Sequence, residues 1–538
     1  MAGSQKGRRR IDPARNPAVW DTLTWEAPRF IQNVLSQSQG FWAKTHGAVC
    51  SGRPSPASPT LVVHDGSAAC RAGRCLVLIE CEDGQHGLVE FVKGGASRAG
   101  GECLAQSALS DGTTARFYEV TSGNLQRAYA VVAPSRLPQA LRMVPRLGIG
   151  TRMSKAVWPG IWQAMNECLF SANAIQNSMR ELNLLENIGD ERVDRELYYP
   201  GIGFVPEGHT GSTFEGLCLC GVTESLKAGC ARPYGADADH IMVKRGSDGL
   251  EHAKKIIQAA RSYSFYTIDV SDILDYAALR GGTGLVGKYR QAMDALEALA
   301  PFIASLKEGE AFDLELSIDE HPPEIDPFDC LTSETEAAFI LDECKQRGIP
   351  LTHLAPNLGV EKHVDYRYRD GRAGLEARTR SLHRLASEHG VLLDCHSGDD
   401  LSSETRQTLK RATGGLLHFK ISPSLQTLFA EVLYDFDTSL FNEWWDDTRR
   451  FALENARRGS DLAARCIRRY ESEPGARPGP EHDLFRLFCY ATIGKRDPTG
   501  IFLYRERFYS LSPSFYGEYT RRVSSYLCSL AGDLLWRE

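Results

Sequence analysis

The chain has 538 residues, enough for three ordinary domains or for one large barrel with additions. Its formal net charge of −7, from 62 basic and 69 acidic side chains, supplies no broad positive field for phosphates, which excludes a dedicated nucleic-acid binder. No apolar run approaches the ~20 residues needed to cross a bilayer, so a membrane-spanning role is excluded as well.

Residues 1–17 carry Lys6, Arg8, Arg9, Arg10 and Arg15 with no apolar segment behind them, and read as a flexible tail. Residues 18–142 contain short β-like runs at Thr60–His64, Cys75–Cys81, Gly87–Lys93, Ala115–Val120 and Ala128–Val132 between turn residues, which predicts a β-rich N-terminal domain. Residues 143–435 alternate short apolar runs with longer amphipathic stretches. The runs are Arg146–Gly150, Gly201–Val205, Asp239–Lys244, Phe265–Val270, Asp313–Ile318, Leu351–Ala355, Val391–Cys395 and Leu416–Ile421. Helical patterns at Gly249–Arg261, Leu285–Leu306, Ser333–Arg347, Leu375–His389 and Ser402–Arg411 lie between the later runs. Eight such units predict an α/β fold with a closed (β/α)8 barrel of TIM type. In residues 436–538, Phe441, Trp444, Trp445 and Phe451 fall near helical spacing and predict a helical C-terminal extension packed on the barrel. The 15 cysteines have no repeated spacing, which suits packed, reduced thiols in a cytoplasmic protein.

Gly282-Thr-Gly-Leu-Val-Gly287-Lys288-Tyr289 imitates a phosphate-binding loop, but Tyr289 stands where a magnesium-binding Ser or Thr belongs. Dinucleotide, HExxH and GxSxG signatures are missing from the sequence.

What stands out is polarity inside strands that should be apolar. Asp239-His240 sits in one run, Asp269 ends the next, and Glu315 lies within Asp313–Ile318 on the face of Asp313 and Ser317. His396 follows Val391–Cys395, and His418 and Lys420 share the last run. Burying unpaired carboxylates is costly, so such groups require partners or a metal. In a parallel barrel the carboxyl ends of the strands meet around one site. Glu315, His396 and His240 could there supply one oxygen and two nitrogens to a divalent transition metal, with Zn, Mn, Co and Ni all compatible. His353 and His418 are weaker candidates for that ion, and the Gly-rich loop around His209 could bind an anion through its N–H groups.

At these residues the chain resembles the tagaturonate epimerase family, metal-dependent barrel enzymes that interconvert D-tagaturonate and D-fructuronate. The resemblance is carried by Gly235-Ala-Asp-Ala-Asp-His240, Phe265-Tyr-Thr-Ile-Asp269, Glu315-Leu-Ser-Ile-Asp-Glu320, His396-Ser-Gly-Asp399 and His418-Phe-Lys420. Weaker matches include Leu147-Gly-Ile-Gly-Thr-Arg152 and Leu354-Ala-Pro-Asn357, and the first ~140 residues stay uncovered. The resemblance implies that Glu315 and His396 help hold the metal, that Asp239 and His240 lie beside it, and that Lys420 and Ser397 face a small sugar-acid substrate. Arg152, Asn357, Asp399 and His418 join the expected substrate-binding set. Where the family usually reads Ala-Thr-Pro-Gly-His, this chain has Val157-Trp-Pro-Gly-Ile161, so a histidine is missing.

Inverting C4 of a 2-keto sugar acid cannot proceed by simple proton abstraction, because C4 is β to the carbonyl. Without a dinucleotide fingerprint, retro-aldol cleavage of C3–C4 and re-addition to the other aldehyde face is favoured over transient oxidation. Asp269 or Asp239 would take the C4 hydroxyl proton, and Lys420 or Arg152 would pair with the carboxylate. Two other readings stay open: a metal-dependent isomerase, epimerase or aldolase for another keto sugar or sugar acid, and an inactive sugar-acid-binding protein.

Overall fold

The computed structural model describes residues 27–82, 84–94, 101–184, 196–199, 202–279, 282–320, 327–361, 364–495 and 503–535. The expected tail, residues 1–17, lies outside them. The chain divides into two units, one comprising Met1–Pro138, Leu185–Asp190 and Ser212–Pro233, the other Gln139–Leu184, Glu191–Gly211 and Tyr234–Glu538.

The first unit is built on a five-stranded antiparallel sheet, ordered Leu61–Arg71, Arg74–Cys81, His86–Lys93, Thr113–Glu119 and Ala105–Ala108. Alternate residues Val77 and Ile79 join Val89, Phe91 and Phe117 under two helices, Ala27–Ser36 and Gln39–Ser51, which contribute Phe30 and Trp42. Helices Ser122–Val132 and Phe214–Lys227 contact the sheet as well, and Arg74–Cys81 is buried along almost its whole length. Its near-continuous apolar sequence, Cys-Leu-Val-Leu-Ile, follows from that double burial. Ala128–Val132, expected as a strand, is the end of the helix Ser122–Val132. Leu125, Ala128, Tyr129 and Val132 are all buried at i, i+3, i+4 and i+7, a helical period that short β-like runs conceal. The hydroxyl of Thr121 caps this helix by accepting from Asn124 N.

The second unit holds a closed barrel of eight parallel strands. In chain order they are Arg146–Gly150, Ser171–Ser178, Tyr234–Met242, Phe265–Asp269, Asp313–Ser317, His353–Ala355, Leu392–Cys395 and His418–Ile421. The eighth pairs with the first to close the ring. The (β/α)8 expectation therefore holds, with one exchange: Gly203–Pro206 pairs antiparallel with Glu196–Tyr199 outside the barrel, and the second barrel strand is Ser171–Ser178. That strand reads Ser-Ala-Asn-Ala-Ile-Gln-Asn-Ser and all eight residues are buried, so a search for apolar runs passes over it.

Gly284–Lys307 is a helix that begins inside the false phosphate loop; Lys288 is buried and its Nζ lies 2.6 Å from Glu336 Oε1. Beyond the barrel, Phe441, Trp444 and Trp445 are buried on the helix Thr438–Arg457 against Phe485, as their spacing implied, while Phe451 is half-buried. The helix Pro513–Leu534 packs along Ser154–Cys168. A disulfide joins Cys168 to Cys528 there, and Cys70 pairs with Cys75 across the first hairpin of the sheet. Scattered spacing did not announce either bond, since each is made by tertiary proximity; most of the other 11 cysteines are buried as packing residues. Among the described residues no helix is long and apolar enough to cross a membrane.

Candidate active site

The interior of the barrel is filled in tiers, and most of them are charged. At the lower tier the Arg146 guanidinium lies 3.0 Å from Asp313 Oδ2, and His353 Nε2 is 3.1 Å from another of its nitrogens. All three are fully buried. The buried His353 ring, beside a guanidinium, is held well below the usual imidazole range by its desolvation and by Arg146. His353 is thus a structural partner of Arg146.

In the next tier Lys420 Nζ is encircled by Thr267 Oγ1 at 2.8 Å, Asp239 Oδ1 at 2.9 Å, Asp237 Oδ2 and Glu315 Oε1 at 3.0 Å, and Asp394 Oδ2 at 3.5 Å. Burial opposes its charge, but these acids hold Lys420 well above the ordinary lysine range. A lysine so held is a fixed cation and a poor base. His418 Nδ1 lies 2.7 Å from Asp394 Oδ2, and burial pushes its imidazole down to about 4. Burial and the neighbouring Asp394 raise Glu315 well above the carboxylate range, whereas Asp394, equally buried, is kept low by His418 and Lys420.

The upper tier opens into a cleft of about 120 Å³ at the carboxyl ends of the strands. Asp239, His240, His396, Ser397, Asp399, Arg152 and Lys420, all named from the sequence, line it. A register shift between Ala238 and Ile241 breaks the alternation of the third strand, so that the consecutive residues Asp239 and His240 both reach the cleft. His240 has φ 47° and Ser397 φ 61°, left-handed backbone that non-glycine residues seldom adopt. Strain of this kind gathers at functional sites.

His396 connects two groups of potential ligands. With His240 and Asp319 it offers atoms all within 4.8 Å of one another, and with Glu315 and Asp394 it forms a second such set. Asp319 Oδ1 lies 3.1 Å from His396 Nδ1. Glu315 remains bonded to His396, Oε1 to Nε2 at 2.9 Å. Asp269 is buried behind His240, its Oδ2 3.3 Å from His240 Nδ1. This carboxylate–imidazole arrangement is the one that orients metal-bound histidines. Glu315 Oε2 and Asp394 Oδ1 are buried and accept no hydrogen bond from a described residue. Two imidazoles with three carboxylates, some oxygens unpartnered, fit a divalent transition metal.

Two expected substrate contacts stand outside the cleft lining. His418 is fully buried against Asp394, and Asn357 braces its own loop by accepting from Gly359 N at 2.9 Å. Asp399 lines the cleft while accepting from Ser422 N at 3.0 Å and Ser424 N at 3.1 Å. Arg152 Nε donates to Glu181 Oε1 at 2.7 Å, and its guanidinium lies 4.9 Å from the Tyr490 ring centre. His209 is buried edge-on against Tyr490. Ile161 lies in the apolar core with Val157 and Trp158 and does not line the cleft. Sequence reasoning missed Gln176, Arg180, Glu181 and Tyr490; the first three follow from the unrecognised second strand, and Tyr490 had no strand position to betray it.

No family model and no curated protein sequence matches the chain. Among solved structures, it is similar to the native fructuronate-tagaturonate epimerase UxaE from Cohnella laeviribosi, at 18% identity and a TM-score of 0.62 over 92% of this chain and 99% of that one. Complexes of the same enzyme with one and with two glycerols align at 17% identity, with TM-scores of 0.61 and 0.62. The resemblance first seen in a handful of strand-end motifs extends to the whole architecture: this chain has the fold of the fructuronate-tagaturonate epimerases.

Proposed function

We propose that the protein is a divalent-metal-dependent epimerase that inverts C4 of a keto-hexuronate, interconverting D-tagaturonate and D-fructuronate. What carries the reading is the convergence of His240, Asp319 and His396 at the mouth of a barrel with this fold, above the buried acids Glu315 and Asp394. The glycerol-bound UxaE structures, an epimerase in complex with a small polyol, support the substrate class.

His240, Asp319 and His396 would hold the metal, with Glu315 and Asp394 below them and Asp269 orienting His240. A bound divalent ion supplies Lewis acidity toward a carbonyl and its neighbouring hydroxyl. Asp239 faces the cleft and Asp269 does not, which assigns the C4 hydroxyl proton to Asp239. As the C3–C4 bond breaks, its electron pair enters the C2–C3 enediolate and C4 becomes an aldehyde. Rotation of that aldehyde and re-formation of the bond invert C4, and Asp239 returns the proton. Lys420, already encircled by acids, balances their charge through the cycle. Arg152 is left as the partner for the substrate carboxylate.

Incubation of the purified protein with D-tagaturonate and with D-fructuronate, each with Mn²⁺, Zn²⁺, Co²⁺ or Ni²⁺, tests the reading by chromatography. Interconversion that stops on chelation and returns with metal is the expected result. No conversion with any of the four ions overturns it, and equal turnover of uncharged ketohexoses overturns the acid specificity.

A further inference from the structure

Three polar groups of the cleft have no partner among the described residues. The Tyr490 hydroxyl is buried, in a residue only 7% exposed, and makes no hydrogen bond. Gln176 is 1% exposed; its Nε2 donates to Asp239 Oδ2 at 3.3 Å, and its Oε1 is unpartnered. Because only the NH2 end of an amide can face a carboxylate, this bond fixes which end of Gln176 is left to accept. Ser422 Oγ is likewise buried and unpartnered, although Ser422 N is held by Asp399. All three residues line the same cleft.

The backbone has made room for two of them. A Cβ added at Gly148 would collide with Gln176 Oε1, and one added at Gly150 would collide with the Ser422 side chain. Glycine at these two points of the first strand lets both side chains stand where they do. The Tyr490 ring is fixed from two sides, by the Arg152 guanidinium and by His209. Buried polar atoms without partners are rare, and three in one cleft point to a ligand that supplies the missing bonds. The set comprises an acceptor, a hydroxyl that can do either and a phenol that donates. None is charged, so their combined chemistry matches the hydroxyls of a sugar chain and gives a phosphate or a carboxylate no ionic partner.

We infer that Gln176, Ser422 and Tyr490 form a hydroxyl-binding wall that takes free hydroxyls of the substrate. The inference deepens the proposed epimerase reading and rests on it for the orientation of the substrate. The wall makes the site selective for an open-chain, polyhydroxylated acid over a short acid of the same charge.

Binding of D-gluconate, an unreactive six-carbon polyhydroxy acid, is compared with that of glycolate by calorimetry on the metal-loaded protein. The parent prefers gluconate. Tyr490→Phe and Ser422→Ala each weaken gluconate binding roughly fivefold to tenfold, the worth of a neutral hydrogen bond, and leave glycolate unchanged. Tyr490→Phe keeps the ring against Arg152 and His209, and an unchanged unfolding midpoint separates lost contact from lost fold. If both variants keep the parent's preference, the wall is refuted while any epimerisation stands. If the parent binds gluconate but does not epimerise, the catalytic reading falls and the wall stands. If the parent binds no gluconate, both fall.

Discussion

Asp269 Oδ2 stands 3.3 Å behind Nδ1 of His240, on the side away from the cleft. The pair leaves Nε2 of His240 to act toward the cleft, so Asp269 works through its neighbour. Asp269→Asn is expected to lower metal affinity by about 10–100-fold, the usual effect of losing such a partner, measured by competition with a chelator of known affinity. His240→Gln should cost more than Asp269→Asn; an Asp269→Asn protein with undiminished affinity would separate His240 from the metal.

Lys420 neutralises a nest of buried acids. Replacing it with methionine keeps much of the volume but strands Asp237 and Asp239, and destabilisation of about 3–5 kcal/mol is expected from urea unfolding. Adding Asp239→Asn to Lys420→Met should restore part of that loss, since one of the stranded charges is then removed.

Asp239→Asn removes the assigned proton acceptor and should reduce kcat by about 10²–10⁴-fold. In deuterated buffer the parent should place no deuterium on C4, because cleavage and re-addition move the C4 hydroxyl proton and leave the C4–H bond intact. Mass spectrometry of the product reads this directly, and label at C4 would refute the retro-aldol route.

His209 supplies a pH test remote from the ligand groups. Burial lowers its imidazole from 6.5 to about 4. The unfolded chain therefore binds the proton more tightly, and His209 lets stability fall as pH drops from about 6.5 through 4. The loss is on the order of 3 kcal/mol, at about 1.4 kcal/mol per pKa unit. In His209→Phe the slope of unfolding free energy against pH over that interval should flatten; an unchanged slope would mean that other groups set it.

Seven of the eight barrel strands were legible because each carries a short apolar run, several with polar residues inside or just after it. Ser171–Ser178 was not, because its interior faces are Asn and Gln and its length is small residues; tertiary burial, which no local pattern encodes, decided it. The same cause hid Gln176. Asp239, His240, Glu315, His396 and Lys420 could be picked out one by one, but not which of them touch. Asp319 lies beside His240, a proximity that spacing does not reveal. His418 was recognised as important and misplaced by one tier, since alternation specifies a face and not a depth.

The tiers of charge inside the barrel have a consequence for how this protein can change over time. In most barrels the residues that hold the fold and those that do the chemistry are different sets, so either can drift without the other. Here Arg146, Asp313, Glu315, Asp394, His418 and Lys420 are at once the filling of the barrel and the footing of its cleft. A descendant with no use for the reaction could not shed its charged members singly, because loss of Arg146 or of Lys420 leaves buried acids stranded in the interior. The site is therefore anchored by the cost of dismantling it, and a remodelled substrate preference would have to be written in the uncharged wall of the cleft, where residues can be exchanged without disturbing the charges beneath.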